Sequence, residues 1–336
     1  MSYLYFPVCS LRSTGRPYEE SILAVFRKLE IPLTELDDWN CCGTTAYVSI
    51  DENRAFTLAA RNLAIAERMQ NNGNPGEDLM APCSACYLVL EKTQHYMKTD
   101  EGVKTEVTAA LQRGGFEYKG TAKVRHPLDI LVNDIGLERI ARAVVRPMKG
   151  MKVACYYGCQ VVRPFETFDH AAYPTTMDRL ITALGATAVD WPLKTRCCGG
   201  SLTGTIQEAG LRLNRVLLKE ATKRGANIIL TCCPLCQHNL ECYQKRINRR
   251  FDESINIPVA YFTQFIGLAL GIPRKELGIQ RLFIPLRLAE QPGKDANWQE
   301  ESLAARDPLA VIRRQAAARN HAVQVRVMEQ GLTPGV

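Results

Sequence analysis

Ten of the thirteen cysteines in this chain form one pattern written twice. The first copy is Cys9, then the adjacent pair Cys41-Cys42 followed by Gly43, then Cys83-Ser84-Ala85-Cys86. The second is Cys159, then Cys197-Cys198 followed by Gly199, then Cys233-Pro234-Leu235-Cys236. The lone cysteine precedes the pair by 32 and 38 positions, and the pair precedes the Cys-x-x-Cys by 41 and 35. Unrelated thiols would not keep one order and similar gaps twice, so the chain reads as two copies of one unit. Each gap is about the length of a strand–helix–strand segment. Cys9 and Cys159 are 150 positions apart, the size of one domain.

A chain of 336 residues with 46% hydrophobic and 23% charged residues has ample material for two cores. Cysteine usage is what sets it apart. Secreted disulfide scaffolds are short and follow a signal peptide. The opening residues here, MSYLYFPVCS, lack the basic start and apolar run of such a signal. Adjacent cysteines also bridge each other only with strain. Metal or iron–sulfur ligation in a reducing cytoplasm is therefore the expectation. The apolar stretch at 259–270, interrupted by Thr263 and Gln264, is short of the roughly 20 residues a bilayer needs, so a soluble chain without a membrane span is expected. The net charge of +7 reads as a solvated basic surface or a docking face for an acidic partner. No basic and aromatic motif accompanies it, so nucleic acid is not an expected partner.

Hydrophobic periodicity predicts a strand at 2–8 that delivers Cys9, a helix at 17–29, and a strand at 33–36 leading to the first pair. A helix at 52–70, a strand at 78–81 before Cys83, a helix over 86–97 and a strand at 124–126 follow. The second half repeats this with strands at 151–157, 186–190, 227–231 and 257–261, and helices at 176–184, 206–223 and 263–270. The predicted fold class is α/β, with two pseudo-symmetric domains, each a mostly parallel sheet flanked by helices. Their predicted bounds are 1–145 and 146–280, joined through a connector at 136–150. Ligands of such sheets bind at the carboxyl ends of the strands, where the cysteines fall. Residues 281–336 carry no cysteine. They read as a C-terminal extension, either a loosely ordered tail or a partner-docking arm, with an Arg- and Ala-rich segment at 304–319 that favours helix.

A cubane iron–sulfur cluster takes four thiolates, and each half offers five. The Cys-x-x-Cys supplies two ligands from one turn. The adjacent pair puts two sulfurs too close for separate corners of one undistorted cube unless one bridges two irons. Gly43 and Gly199 permit the positive φ or close approach that a crowded loop needs. Spacing alone points to an atypical cluster or a two-metal site. Zinc would be satisfied by four ligands and would leave a thiolate over in each half.

The repeated Cys-Cys-Gly pattern resembles that of the heterodisulfide reductase B-subunit family, the CCG motif. Longer stretches are also similar to that family: Thr14-Gly15-Arg16-Pro17-Tyr18-Glu19-Glu20-Ser21, Asp38-Trp39-Asn40-Cys41-Cys42-Gly43, Tyr156-Tyr157-Gly158-Cys159-Gln160, Arg163-Pro164, Pro192 to Gly200, and Cys233 to Leu240. The resemblance covers roughly residues 1–275. It implies one non-cubane 4Fe–4S cluster per half. Cys9, Cys41, Cys42, Cys83 and Cys86 would hold the first, and Cys159, Cys197, Cys198, Cys233 and Cys236 the second. It further implies that the clusters face one another and that a disulfide, such as the coenzyme M–coenzyme B mixed disulfide or a related sulfur substrate, is cleaved or formed between them. The clusters themselves would be catalytic, with no side chain assigned. The implied partners are a ferredoxin-like C subunit and a flavin-containing A subunit. One departure stands out: the family has Pro-Gly-Cys before the first ligand, and this chain has Pro7-Val8-Cys9.

Cys155, Cys232 and Cys242 lie outside the repeat and read as small core thiols. Lys194 and Arg196 flank the second pair, either as charges facing an anionic cluster or substrate or as a solvated pair. His126 and His238 read as structural histidines, and Trp39 as packing. No dinucleotide fingerprint, P-loop or cubane ferredoxin run is present, so electrons must come from another subunit. Two other functions compete with disulfide chemistry. One is a non-catalytic electron-transfer subunit of a respiratory or dehydrogenase complex. The other is a zinc-stabilised scaffold.

Overall fold

The first half runs β1 (Tyr3–Tyr5), α1 (Arg16–Lys28), β2 (Leu33–Glu35), α2 (Glu52–Asn71), β3 (Asp78–Met80), α3 (Ser84–Thr99), α4 (Glu101–Arg113), β4 (Val124–Arg125), α5 (Pro127–Asp129), a π-helical stretch at Ile130–Gly136 and α6 (Leu137–Arg142). The second runs β5 (Lys152–Tyr156), α7 (Thr176–Ala183), β6 (Thr187–Ala188), α8 (Leu202–Thr205), α9 (Gln207–Lys223), β7 (Ile228–Thr231), α10 (Pro234–Cys242), α11 (Gln244–Phe251), β8 (Val259–Tyr261) and α12 (Phe262–Ala269). The computed structural model describes residues 1–44, 47–72 and 78–288. The helix predicted at 304–319 lies outside the described residues.

The two halves form two four-stranded parallel sheets, ordered β2-β1-β3-β4 and β6-β5-β7-β8. In each, the chain leaves the first strand toward one edge and returns on its other side. The loops after β1 and β3, and after β5 and β7, therefore diverge and leave a crevice at the carboxyl ends of those strands. Cys9 follows β1 and Cys83 follows β3; Cys159 follows β5 and Cys233 follows β7. Central strands of such a sheet are covered on both faces and must be apolar throughout. All of β1 and all of β7 are buried accordingly.

Strand register equates the halves residue by residue. Tyr5 pairs Met80 and Cys155 pairs Leu230, which places Val8 where the second half has Gly158. Met80 pairs Arg125 and Leu230 pairs Ala260, which places His126 opposite Tyr261 in the comparison. The first strand is shorter than periodicity predicted. Pro7 has no N–H to give the ladder, and Val8 turns the chain with φ +44°. α4 escaped sequence reading because only Val107 and Leu111 on it are buried, too few for a visible stripe. Its start is set by Asp100, whose side chain accepts from Val103 N at 3.0 Å.

Contacts between the halves lie within one compact unit, Met1–Ala289. α1 packs on α12, where Ser21 Oγ meets Thr263 Oγ1 at 2.7 Å and the Tyr18 ring stacks on Tyr261 with centroids 4.3 Å apart. Past α12, Glu241 of α10 accepts from Phe283 N at 2.9 Å and Ile284 N at 3.4 Å, holding the start of the C-terminal extension.

Candidate metal centre

Cys83 and Cys233 are the N-caps of α3 and α10, and the next turn of each helix carries Cys86 or Cys236. The free N–H groups of a helix start favour a thiolate, and the Cys86 and Cys236 amides donate to the sulfurs of Cys83 and Cys233. Pro234 at the first position of α10 has no donor to lose there. The adjacent pairs sit in loops bent by Gly43 (φ +81°) and Gly199 (φ +94°). A Cβ on Gly43 would come within 3.0 Å of Ala55 Cα, and one on Gly199 within 3.3 Å of Gly210 Cα, so both loops press on the following long helix.

The ten repeat cysteines form one continuous line of sulfurs. Cys9 Sγ lies 4.0 Å from Cys41 Sγ, Cys41 contacts Cys42, and Cys42 Sγ lies 3.0 Å from Cys86 Sγ. Cys86 contacts Cys83, and Cys83 contacts Cys233 of the other half. Cys233 contacts Cys236, whose Sγ lies 3.6 Å from Cys198 Sγ, and Cys198 leads through Cys197 to Cys159. The middle of the line is buried, whereas Cys9, Cys41 and Cys197 are exposed. All thirteen cysteines are free thiols.

The lone and adjacent cysteines carry charge alike in the two sets, but the seam does not: Cys83 is pushed well down by donation from Cys233 and Cys86, whereas Cys233, despite the Cys236 donor, is pushed up to about 12 by donating to Cys83 and by burial. Cys41 is pushed down to about 2 because the Cys42 and Cys9 thiols donate to it, with Gly43 N as a further donor. Cys197 is pushed down to about 2 by Cys159 and Cys198, helped by Gly199 N and the Arg163 guanidinium. Donating to those thiolates pushes Cys42 up to about 12 and Cys198 up to about 11. Arg163 was not singled out as a charge at the site from sequence. Its guanidinium also donates to Thr195 O, fixing the approach to the second pair.

This donor set fits a multi-iron group in each half. Five soft thiols with no competing carboxylate suit iron–sulfur ligation. Among the described residues no three His, Cys, Asp or Glu side chains surround one point as a single ion requires. Five thiols per half leave one over from the four a tetrahedral zinc takes.

The departure before Cys9 is visible in the backbone. Val8 keeps the left-handed conformation of its counterpart Gly158 (φ +70°), although it is β-branched and fully buried. A Cβ on Gly158 would stand 3.1 Å from Cys236 Sγ. The glycine in the second half thus makes room for a sulfur.

Other residues read from the sequence take definite places. Lys194 is neither solvated nor free to face an anion. It is buried, with Nζ 2.6 Å from Asp178 Oδ1, 3.4 Å from Pro174 O and 4.7 Å from the Tyr173 ring centre. Its carbonyl accepts from Tyr157 N and Gly158 N, so it holds the loop before Cys159. Arg196 is exposed. His126 is structural: buried beneath the seam, it donates to Pro82 O at 3.1 Å through Nε2 and accepts from Leu128 N at Nδ1. Burial pushes it down to about 3, so it stays neutral. His238 Nδ1 lies 3.4 Å from the half-buried Cys242, which is thus a partnered thiol rather than a simple core one. Trp39 packs edge-on against Phe6. Cys155 lies within β5, and Cys232 Sγ donates to Tyr157 O at 3.6 Å.

The family of the cysteine-rich domain, CCG, matches this chain twice, over residues 3–91 and 153–241. The chain is 32% identical over 279 residues to the membrane anchor of 8-methylmenaquinol:fumarate reductase from Wolinella succinogenes, covering 82% of this chain and 95% of that one. It is 32% identical over 268 residues to the B subunit of the ferredoxin/F(420)H(2)-dependent CoB-CoM heterodisulfide reductase of Methanosarcina acetivorans, covering 78% and 87%. It is 31% identical over 287 residues to a protein of Archaeoglobus profundus named as like the heterodisulfide reductase B subunit, covering 83% and 94%. A crystal structure of a hypothetical protein from Helicobacter pylori superposes with a TM-score of 0.67 at 13% identity, a likeness of fold alone; it covers 85% of this chain, which spans about half (52%) of that one.

Proposed function

The chain belongs to the CCG cysteine-rich proteins of the heterodisulfide reductase B-subunit type, and from that premise we propose that it cleaves or forms a disulfide between two iron–sulfur clusters held by its two halves. In this reading domains 1–145 and 146–280 each hold one non-cubane 4Fe–4S cluster. Cys9, Cys41, Cys42, Cys83 and Cys86 hold the first, and Cys159, Cys197, Cys198, Cys233 and Cys236 the second. The observation that carries the proposal is the meeting of the two thiol sets at Cys83 and Cys233, in the buried middle of the line.

When bound, the clusters supply single electrons for breaking or making a sulfur–sulfur bond. The rest falls to the chain. Thiol donation from Cys233 and Cys86, with the N-terminus of α3, holds negative charge on Cys83. The buried seam keeps water from a nascent thiolate. The exposed cysteines Cys9, Cys41 and Cys197 mark where electrons enter from a ferredoxin-like partner, itself fed by a flavin-containing one. The substrate class is a disulfide or protein-bound sulfur species, and the setting is cytoplasmic. No helix among the described residues is long and apolar enough to cross a membrane.

A second reading is favoured by the Wolinella relative, which is named for a quinol:fumarate reductase. There the same line of sulfurs would relay electrons between partners and admit no substrate. Iron analysis and EPR on the anaerobically purified full chain, with and without added thiol, separate the two. About eight irons per chain, from two 4Fe–4S clusters, and a thiol-dependent radical signal support disulfide chemistry. Eight irons with spectra indifferent to thiol would replace it with the relay. An iron-free, zinc-containing protein would sink both.

A further inference from the structure

Three buried side-chain hydroxyls with no hydrogen-bond partner belong to neighbouring residues at the seam, Tyr18, Tyr261 and Thr231. Tyr261 ends β8 and pairs in register with Thr231, the last residue of β7, so the two side chains leave the sheet on one face. Thr231 is followed directly by Cys232 and the ligand candidate Cys233. The Tyr18 ring lies parallel to that of Tyr261, at 1° and 4.3 Å between centroids. One ring comes from α1 of the first half and the other from β8 of the second, so the pair spans the same junction as Cys83 and Cys233.

A buried hydroxyl without a partner is destabilising, and native chains keep such groups where something absent from the bare fold completes them. Other donors at the seam are already used. His126 Nε2 donates to Pro82 O, and Ser84 Oγ donates to Cys232 O at 3.3 Å. Reductive cleavage of a disulfide adds two electrons and leaves two thiolates, each needing a donor in a site that excludes water. The proposed function supplies the electrons through the partner proteins.

We propose that Tyr18 and Tyr261, with Thr231 beside them, form a hydrogen-bond donor site for a substrate-derived thiolate arriving at the Cys83–Cys233 junction. This inference rests on the disulfide reading above. The phenols donate without surrendering their protons. Burial, and after it the neighbouring cysteine sulfurs, holds both well above the ordinary phenol range. They are direct hydrogen-bond donors to the thiolate, not acids. Tyr261 occupies the place that His126 takes in the first half, so the two halves present different groups to the seam: a satisfied imidazole in one, a free phenol in the other.

The test uses the full-length, cluster-loaded chain and its Tyr18→Phe, Tyr261→Phe and double variants. Iron content, thermal midpoint and the half-saturation of the EPR signal by 2-mercaptoethanol are measured on each. Iron content should stay at the wild-type value, and the midpoint should hold or rise, because each substitution removes an unpartnered polar atom. Half-saturation should move about tenfold or more for each single variant, the range of a hydrogen bond to a charged group, and further for the double. An unchanged half-saturation in variants of a thiol-responsive wild type overturns this inference and leaves the function standing. A lower midpoint in both single variants with unchanged half-saturation makes the phenols structural, which also overturns it. A wild type that ignores thiol removes the disulfide reading, and this inference with it.

Discussion

Val8 gives a sharp measure of how firmly the cluster loop is imposed on the chain. It is fully buried with φ +44°, a conformation that costs an L-residue with a β-carbon about 1–2 kcal/mol. Replacing it by Ala removes two buried methyl carbons, about 1.6 kcal/mol at roughly 0.8 per carbon, and keeps the penalty. Replacing it by Gly removes a third carbon and adds the backbone entropy of glycine. At an ordinary buried site those two effects put Gly about 1.5 kcal/mol below Ala. Here Gly also escapes the left-handed penalty, and the difference cancels. Val8→Ala and Val8→Gly should therefore both be destabilised by about 2 kcal/mol and lie within about 0.5 kcal/mol of each other. Anaerobic thermal melts of the cluster-loaded full chain read this, at about 2 °C per kcal/mol. A Val8→Gly midpoint about 3 °C or more below that of Val8→Ala would refute the strain and place Val8 in ordinary backbone.

Cys42→Ser and Cys233→Ser should each lower iron content by about half, since each disables one of two sets. Cys155→Ala and Cys242→Ala should leave iron unchanged, and iron loss in either would redraw the ligand sets. Lys194→Met should cost about 3–5 kcal/mol, because it strands the largely buried Asp178 carboxylate, with Tyr157 OH at 2.7 Å as its remaining donor; a midpoint drop of about 6–10 °C checks it. Glu241 is pushed up to about 8 by burial, against the opposing donors Ile284 N, Gln237 and Phe283 N. Between about pH 4.5 and 8 the folded chain holds a proton the unfolded chain has released, so this group's stabilisation is complete below that window and is lost as pH rises through it. Glu241→Gln should flatten the fall in thermal midpoint between pH about 5.5 and 8.5. An undiminished slope in that variant would assign it to another group.

The order of cysteines carried the two-fold repeat, and the alternation of apolar segments carried the parallel α/β class, because both are encoded at short range. Ligand candidates at strand ends followed from the same pattern, as did the glycines after each pair. What stayed hidden depends on contacts between distant residues. Lys194 reads as a surface cation beside a motif, and only packing shows it buried against Asp178 on another element. Tyr18 and Tyr261 are ordinary aromatic core positions in the sequence, yet 243 positions apart they stack and leave two free hydroxyls at the seam. Val8 looked like a lost glycine, and the folded backbone shows that the loop kept its glycine conformation regardless. The sequence by itself determined that there are two thiol sets in two like halves, since spacing and periodicity are local properties of a chain. Only the tertiary structure decided that the sets join at Cys83 and Cys233, because the docking of one sheet on another depends on side-chain contacts that no spacing records.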